Sequence, residues 1–202
     1  MKKQDRSLYL TAALLCGAIL VALVSAFALI LMEDGKGAPK EEPQIRIEYE
    51  KEVLAASARY GVSPARIYAV IQTESSFRPT VVSKSGAVGL MQMLPSTYKE
   101  QCAKRGEPYD PEDLKDPATN IDYCTEYLKQ LYDMTGSWDH AHLAYHAGIG
   151  NLRRWLADPA CSGDGRTLKV IPVKQSEIYL ERINAALAAY DRALAEQEKQ
   201  DI

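Results

Sequence analysis

Between Ser63 and Pro79 the chain writes out one helix face and sets a carboxylate into it. Ser63 is a helix-capping residue type, and Pro64 suits the first helical position, where no amide hydrogen is needed. From there Ile67, Val70, Ile71 and Glu74 fall at i, i+3, i+4 and i+7, the spacing of a single face. Three of the four are apolar, so the face turns inward. Glu74 goes with it, in the last turn before Pro79 ends the helix. An acid on such a face has two readings. It is one half of a buried ion pair or is left wet by a slight rotation of the helix, or it is a desolvated carboxyl whose raised pKa fits it for general acid catalysis.

From Ile47 onward the pattern is helical throughout, with no convincing strand. Helices are expected over Ile47 to Tyr60, Pro64 to Ser75, Pro95 to Lys104, Pro117 to Met134, Ser137 to Tyr145, Asn151 to Ala157 and Gln175 to Glu196. Asp116-Pro117 repeats the cap-and-proline start, and Ile121, Cys124, Leu128 and Leu131 give that helix its apolar face. Asp158 to Lys169 reads as a loop. The polar tail from Glu196 to Ile202 is expected to fray. The fold class is therefore all-α, with residues 47–202 as one domain.

Two segments precede that domain. Leu8 to Met32 carries no charge, and at about 1.5 Å per residue it is long enough to cross a hydrocarbon core of ~30 Å. Lys2, Lys3 and Arg6 stand before it, and Glu33 and Asp34 after it. That charge order puts the N-terminus in the cytoplasm and the domain outside it. Ala26-Phe27-Ala28 has the small residues of a signal-peptide cleavage site, but the apolar run continues beyond it through Leu29 to Met32. Residues 1–32 are therefore read as an uncleaved signal anchor in a single-pass topology. Residues 33–46 are read as a linker, with Gly35, Gly37, Pro39 and Pro43 among charges.

The formal net charge is -3 and no basic stripe interrupts the domain, which argues against a nucleic-acid partner. Cys16 lies in the anchor. Cys102, Cys124 and Cys161 remain, an odd number that allows at most one internal disulfide, and Cys102–Cys124 is the candidate pair. The cysteines lack the close spacing of a metal site, and no cofactor is expected.

Beyond Glu74 come Ser83-x-x-Gly86-Ala87-x-Gly89-Leu90-Met91-Gln92-x-x-Pro95-x-Thr97, then Asn120-Ile121 with Tyr127-Leu128, then Ala144-Tyr145-x-Ala147-Gly148-x-Gly150-Asn151. Together with Glu74-Ser75-x-Phe77 these resemble the lytic transglycosylases of the soluble-lytic-transglycosylase type, which are related in fold to goose-type lysozyme. The resemblance runs from about Val53 to Tyr190. It implies a lysozyme-like helical domain with a substrate cleft, acting on peptidoglycan glycan strands in the bacterial envelope. Glu74 would be the acid and Tyr145 the tyrosine beside it. Ser83, Gln92, His146 and Tyr179 would face substrate.

The resemblance also implies a route for a single acid. Glu74 protonates the glycosidic oxygen between N-acetylmuramic acid and N-acetylglucosamine, and the 2-acetamido oxygen traps C1. Glu74 then acts as base on the C6 hydroxyl, which closes a 1,6-anhydro ring without water. Asp139 lies near the tyrosine motif, but early in its helix, where an acid favours the helix dipole. Two alternatives remain: a muramidase that uses water in place of the C6 hydroxyl, and a wall-binding protein without turnover. Three residues depart from the family pattern. His146 stands where Asn is usual, Cys124 where Gly is usual, and Gln175-Ser176 where Glu-Thr is usual. Histidine at 146 brings an imidazole that becomes charged near its ordinary pKa.

Overall fold

A computed structural model describes residues 45–200. The proposed anchor and most of the linker lie outside the described residues. Within them are seven α-helices: α1 Glu50–Tyr60, α2 Pro64–Ser75, α3 Pro95–Arg105, α4 Pro117–Thr135, α5 Trp138–Ala147, α6 Ile149–Ala157 and α7 Lys174–Gln200. A short 3₁₀ turn, Pro111–Lys115, joins α3 to α4. There is no strand among the described residues, only isolated antiparallel bridges such as Val82 with Val88 and Val88 with Met93.

The capping residues do what their chemistry allows. Ser63, Asp116 and Ser137 each accept a backbone N–H in the first turn of the helix that follows. α2 then buries Ile67, Val70 and Ile71 completely, each contributing about 1.5–3 kcal/mol relative to exposure. It packs along α7, where the Tyr68 and Tyr190 rings stack at 5.3 Å. α5 lies against α4, α6 and α7. The last turns of α2 and α5 and the first turns of α7 are thereby brought together.

Several expectations change in detail. α1 begins at Glu50 rather than Ile47, and α6 begins at Ile149, directly after Gly148. α7 does not fray at Glu196 but continues to Gln200, because Ala, Glu, Gln and Lys are all good helix formers. α2 ends before Pro79 acts on it: Ser76 and Phe77 both take left-handed conformations, φ 51° and 63°, and turn the chain sharply after Glu74. The 3₁₀ turn is an element that helical periodicity does not signal. It buries Leu114 completely.

The Cys102–Cys124 disulfide is not formed. Cys102, Cys124 and Cys161 are all free and buried. Cys102 Sγ meets the Tyr123 hydroxyl at 3.7 Å. Cys124, the next residue, points about 100° further round the helix, to Asn120 Oδ1 at 3.6 Å.

Candidate active site

Glu74 sits in the last turn of α2, partly buried. Burial pushes its carboxyl up to about 7, and the nearby Tyr179 hydroxyl opposes that rise. The helix end that holds it is tied down by its neighbour. The buried Ser75 hydroxyl donates to Ile71 O at 3.3 Å and accepts from Arg78 N at 3.2 Å. Arg78 turns its Nε to Ser75 O at 2.8 Å.

Three side chains from three other helices face Glu74. Tyr145 of α5 is held well above its ordinary pKa, by burial first and then by Cys124 and Glu74. Tyr179 of α7 is shifted the same way, by burial first and then by Glu74. Cys124 of α4 is a fully buried thiol pushed up to about 12 by desolvation, opposed by Tyr145 and reinforced by Glu74. All three are therefore neutral whenever Glu74 titrates. Among the described residues the Tyr179 hydroxyl completes no hydrogen bond; it lies near the carboxyl without reaching bonding geometry.

The Tyr145 hydroxyl is committed elsewhere. It donates to Met91 O at 2.7 Å, so it points its proton at the glycine loop rather than at Glu74. The loop itself, Ser83 to Met93, is closed by paired backbone bonds, Val88 N to Met93 O at 2.9 Å and Met93 N to Val88 O at 3.1 Å. Gln92 takes a left-handed conformation, φ 55°, at a strain cost of order 1 kcal/mol. Its Nε2 donates to Val81 O and Gly89 O at 3.1 and 2.9 Å.

Gln92, Thr97, Tyr127, Tyr145, His146 and Gly148 line a cleft of about 200 Å³. Glu74 is adjacent to this cleft through Tyr145 but is not among its lining residues. The sequence offers Tyr127 only as part of a motif; its ring packs 5.7 Å from that of Tyr145 and forms one wall. Two larger surface grooves, about 480 and 520 Å³, lie elsewhere. One holds the Arg59, Arg105 and Asp122 ion pairs, and the other runs beside Asp139, His140 and Glu177. Neither includes Glu74.

The remaining candidates fall as follows. His146 stacks on Tyr179 with ring centroids 4.2 Å apart. Its pKa is lowered by burial, so the expected imidazolium near neutral pH is disfavoured. Ser83 does not line the cleft. Its hydroxyl accepts from Ala87 N at 3.0 Å and closes the turn in which Gly86 sits. Asp139 is paired with Asn184 at 3.4 Å, away from Glu74. Among the described residues no group of His, Cys, Asp and Glu has an arrangement that could hold a metal ion.

A family model for the transglycosylase SLT domain matches residues 52–164. That span contains the Glu74 helix, the glycine loop and the Tyr145 motif in one register. The chain belongs to the transglycosylase SLT domain family. Solved structures agree with the lysozyme-like helical SLT fold. The 70 kDa soluble lytic transglycosylase from Escherichia coli is 26% identical, with a TM-score of 0.65 over 74% of this chain and 25% of that one. An inactive Glu-to-Gln mutant of the lytic transglycosylase Slt from Pseudomonas aeruginosa is 26% identical, with a TM-score of 0.68 over 81% of this chain and 27% of that one. A complex of the 70-kDa enzyme with bulgecin A gives 28% identity and 0.63 over 73% and 24%. This SLT domain thus spans about a quarter of the length of those proteins.

Proposed function

We propose that this SLT domain is a peptidoglycan lytic transglycosylase, with Glu74 as its single acid and base. The observation that carries the reading is the environment of Glu74. It is a carboxyl titrating near 7, faced among the described residues by the neutral groups Cys124, Tyr145 and Tyr179. Such a group is half protonated near neutral pH, so it can give a proton in one step and take one in the next. Among the described residues no acid lines the adjacent cleft. A glycosidase of the ordinary kind needs two carboxylates flanking the bond. One carboxyl suffices where the substrate supplies its own nucleophile, as the acetamido group of N-acetylmuramic acid does.

In this mechanism protonated Glu74 donates to the glycosidic oxygen as the bond to C1 breaks, and the acetamido oxygen closes on C1. Ionised Glu74 then removes the C6 hydroxyl proton. The C6 oxygen attacks C1, the acetamido group is released, and a 1,6-anhydro ring remains. Gln92 and Tyr127 would contact sugar in the cleft, with His146 and Tyr179 stacked at its edge. The Glu-to-Gln mutant described as inactive in the Pseudomonas neighbour is consistent with one indispensable carboxyl. We further propose that residues 1–32 anchor the domain outside the cytoplasm. Protease added to wall-stripped cells should then remove it; protection would refute the anchor.

The product decides between cleavage routes. Mass spectrometry of fragments released from purified peptidoglycan should show 1,6-anhydromuramoyl ends. Reducing muramic acid ends would identify a muramidase instead, and binding without release would identify a protein that holds the wall without cutting it.

A further inference from the structure

Asn120 is completely buried and makes three hydrogen bonds to backbone outside its own helix. Its Oδ1 accepts from Met91 N at 2.8 Å. Its Nδ2 donates to Val88 O at 3.0 Å and to Leu114 O at 2.9 Å. A carboxamide is the only neutral side chain that offers an acceptor and two donors in one small plane. The glycine loop lies directly on that plane. A Cβ built on Gly89 would stand 2.1 Å from Asn120 Nδ2, so this contact requires glycine at 89. Met91 is consequently gripped at both of its polar atoms. Asn120 holds its N–H, and its carbonyl receives the Tyr145 proton at 2.7 Å.

We propose that Asn120 is a positioning residue for the catalytic cleft: through Met91 it keeps the Tyr145 hydroxyl pointed at the glycine loop and away from Glu74. If the loop moves, Met91 O leaves Tyr145, and the phenol, still buried, needs a new acceptor. The Glu74 carboxylate is the charged acceptor close by. A hydroxyl donating to it stabilises the ionised form and lowers its pKa. The other groups facing Glu74 do not compensate. Cys124 and Tyr179 stay neutral, His146 is stacked on Tyr179, and Arg78 is turned to Ser75 O. Asn120 therefore acts on the proton of the acid without touching it. This rests on the reading of Glu74 as the acid only for its consequence in turnover.

The test reads the acid directly. The side-chain carboxyl carbon of Glu74 in the full chain is followed by NMR against pH, without substrate, in four proteins: wild type, Asn120→Ala, Tyr145→Phe and the double variant. Wild type should titrate near 7. Asn120→Ala should titrate roughly one pH unit lower, and its rate at pH 8 should fall roughly tenfold further than the wild-type rate does. In the Tyr145→Phe background, Asn120→Ala should produce no shift, because no phenol proton remains to be redirected. Should Asn120→Ala fail to fold, Asn120→Ser, whose shorter polar side chain cannot reach Met91 N, serves instead. An unchanged Glu74 titration in the folded variant overturns the proposal, as does a shift that persists without the Tyr145 hydroxyl. Neither outcome depends on whether peptidoglycan is cleaved.

Discussion

The His146 ring lies flat on the Tyr179 ring, 4.2 Å between centroids and 14° from parallel. One residue comes from the last turn of α5 and the other from the first turns of α7, so the stack clamps two helices that both border Glu74. It also gives His146 a purpose that the usual asparagine at this position would serve less well, since an amide presents far less flat surface. The stack is worth about 0.5–1.5 kcal/mol.

For His146 the expected pH effect is therefore small and confined to acid. Its pKa lies below the ordinary histidine value because burial disfavours the imidazolium. His146→Asn should leave the alkaline limb of the pH–rate profile in place, and the shape of the profile should change only on its acid side, below the ordinary histidine pKa of about 6.5. Its main effect should be looser positioning of Tyr179, seen as a few-fold loss of rate at pH 7. A shifted alkaline limb would show that His146 charge reaches Glu74 after all.

Two glycines of the same loop should respond differently to alanine. Both have positive φ, 83° at Gly86 and 87° at Gly89. A Cβ at Gly86 meets nothing within 4 Å, whereas at Gly89 it would stand 2.1 Å from Asn120 Nδ2 and 2.3 Å from Leu114 O. Gly86→Ala should cost about 1 kcal/mol, from backbone strain alone. Gly89→Ala should cost roughly 3 kcal/mol or more, since backbone or a buried amide must move. Urea denaturation midpoints measure both, and equal losses would mean that the Gly89–Asn120 contact is slack.

Stability should carry the mark of the acid. The Glu74 carboxyl titrates near 7 in the folded chain against an ordinary 4.5. The folded state holds this proton more tightly, so its contribution is full below about pH 4.5 and is lost as pH rises through 7. Glu74→Gln escapes that loss. The variant should match wild type near pH 4 and exceed it by roughly 3 kcal/mol at pH 8. Equal stability at both values would mean that Glu74 is not desolvated.

The free thiols give a simple check on packing. Cys102, Cys124 and Cys161 are buried and unpaired, and the Cys124 thiol is pushed up to about 12. A thiol reagent at pH 8 should modify none of the three until the domain unfolds, and reductant should leave the melting temperature unchanged. A reductant-dependent melting temperature would reinstate a disulfide.

Much of this could be read from sequence because it rests on local rules. Ser63-Pro64, Asp116-Pro117 and Ser137 announce their helices by capping chemistry, and the i, i+3, i+4, i+7 spacing puts Glu74 on the face of Ile67 and Ile71. The rest rests on contacts that leave no periodic trace. The Tyr145 bond to Met91 O spans 54 residues and ends on a backbone carbonyl, an atom every residue has. Asn120 was legible as part of a motif but not as a clamp, for the same reason. The Pro111–Lys115 turn is too short for a helical period, and the left-handed Ser76 and Phe77 have no glycine to mark them.

The most direct test of the central claim is a digest of purified peptidoglycan by the full chain and by its Glu74→Gln variant, with the released fragments weighed by mass spectrometry. Glutamine keeps the shape of the side chain and cannot deliver a proton, and loss of general acid catalysis alone is worth ~10²–10⁴ in rate. The expected result is 1,6-anhydromuramoyl ends from wild type and no release above background from a folded variant that still binds the wall. Near wild-type release by folded Glu74→Gln would contradict the assignment of Glu74 as the acid.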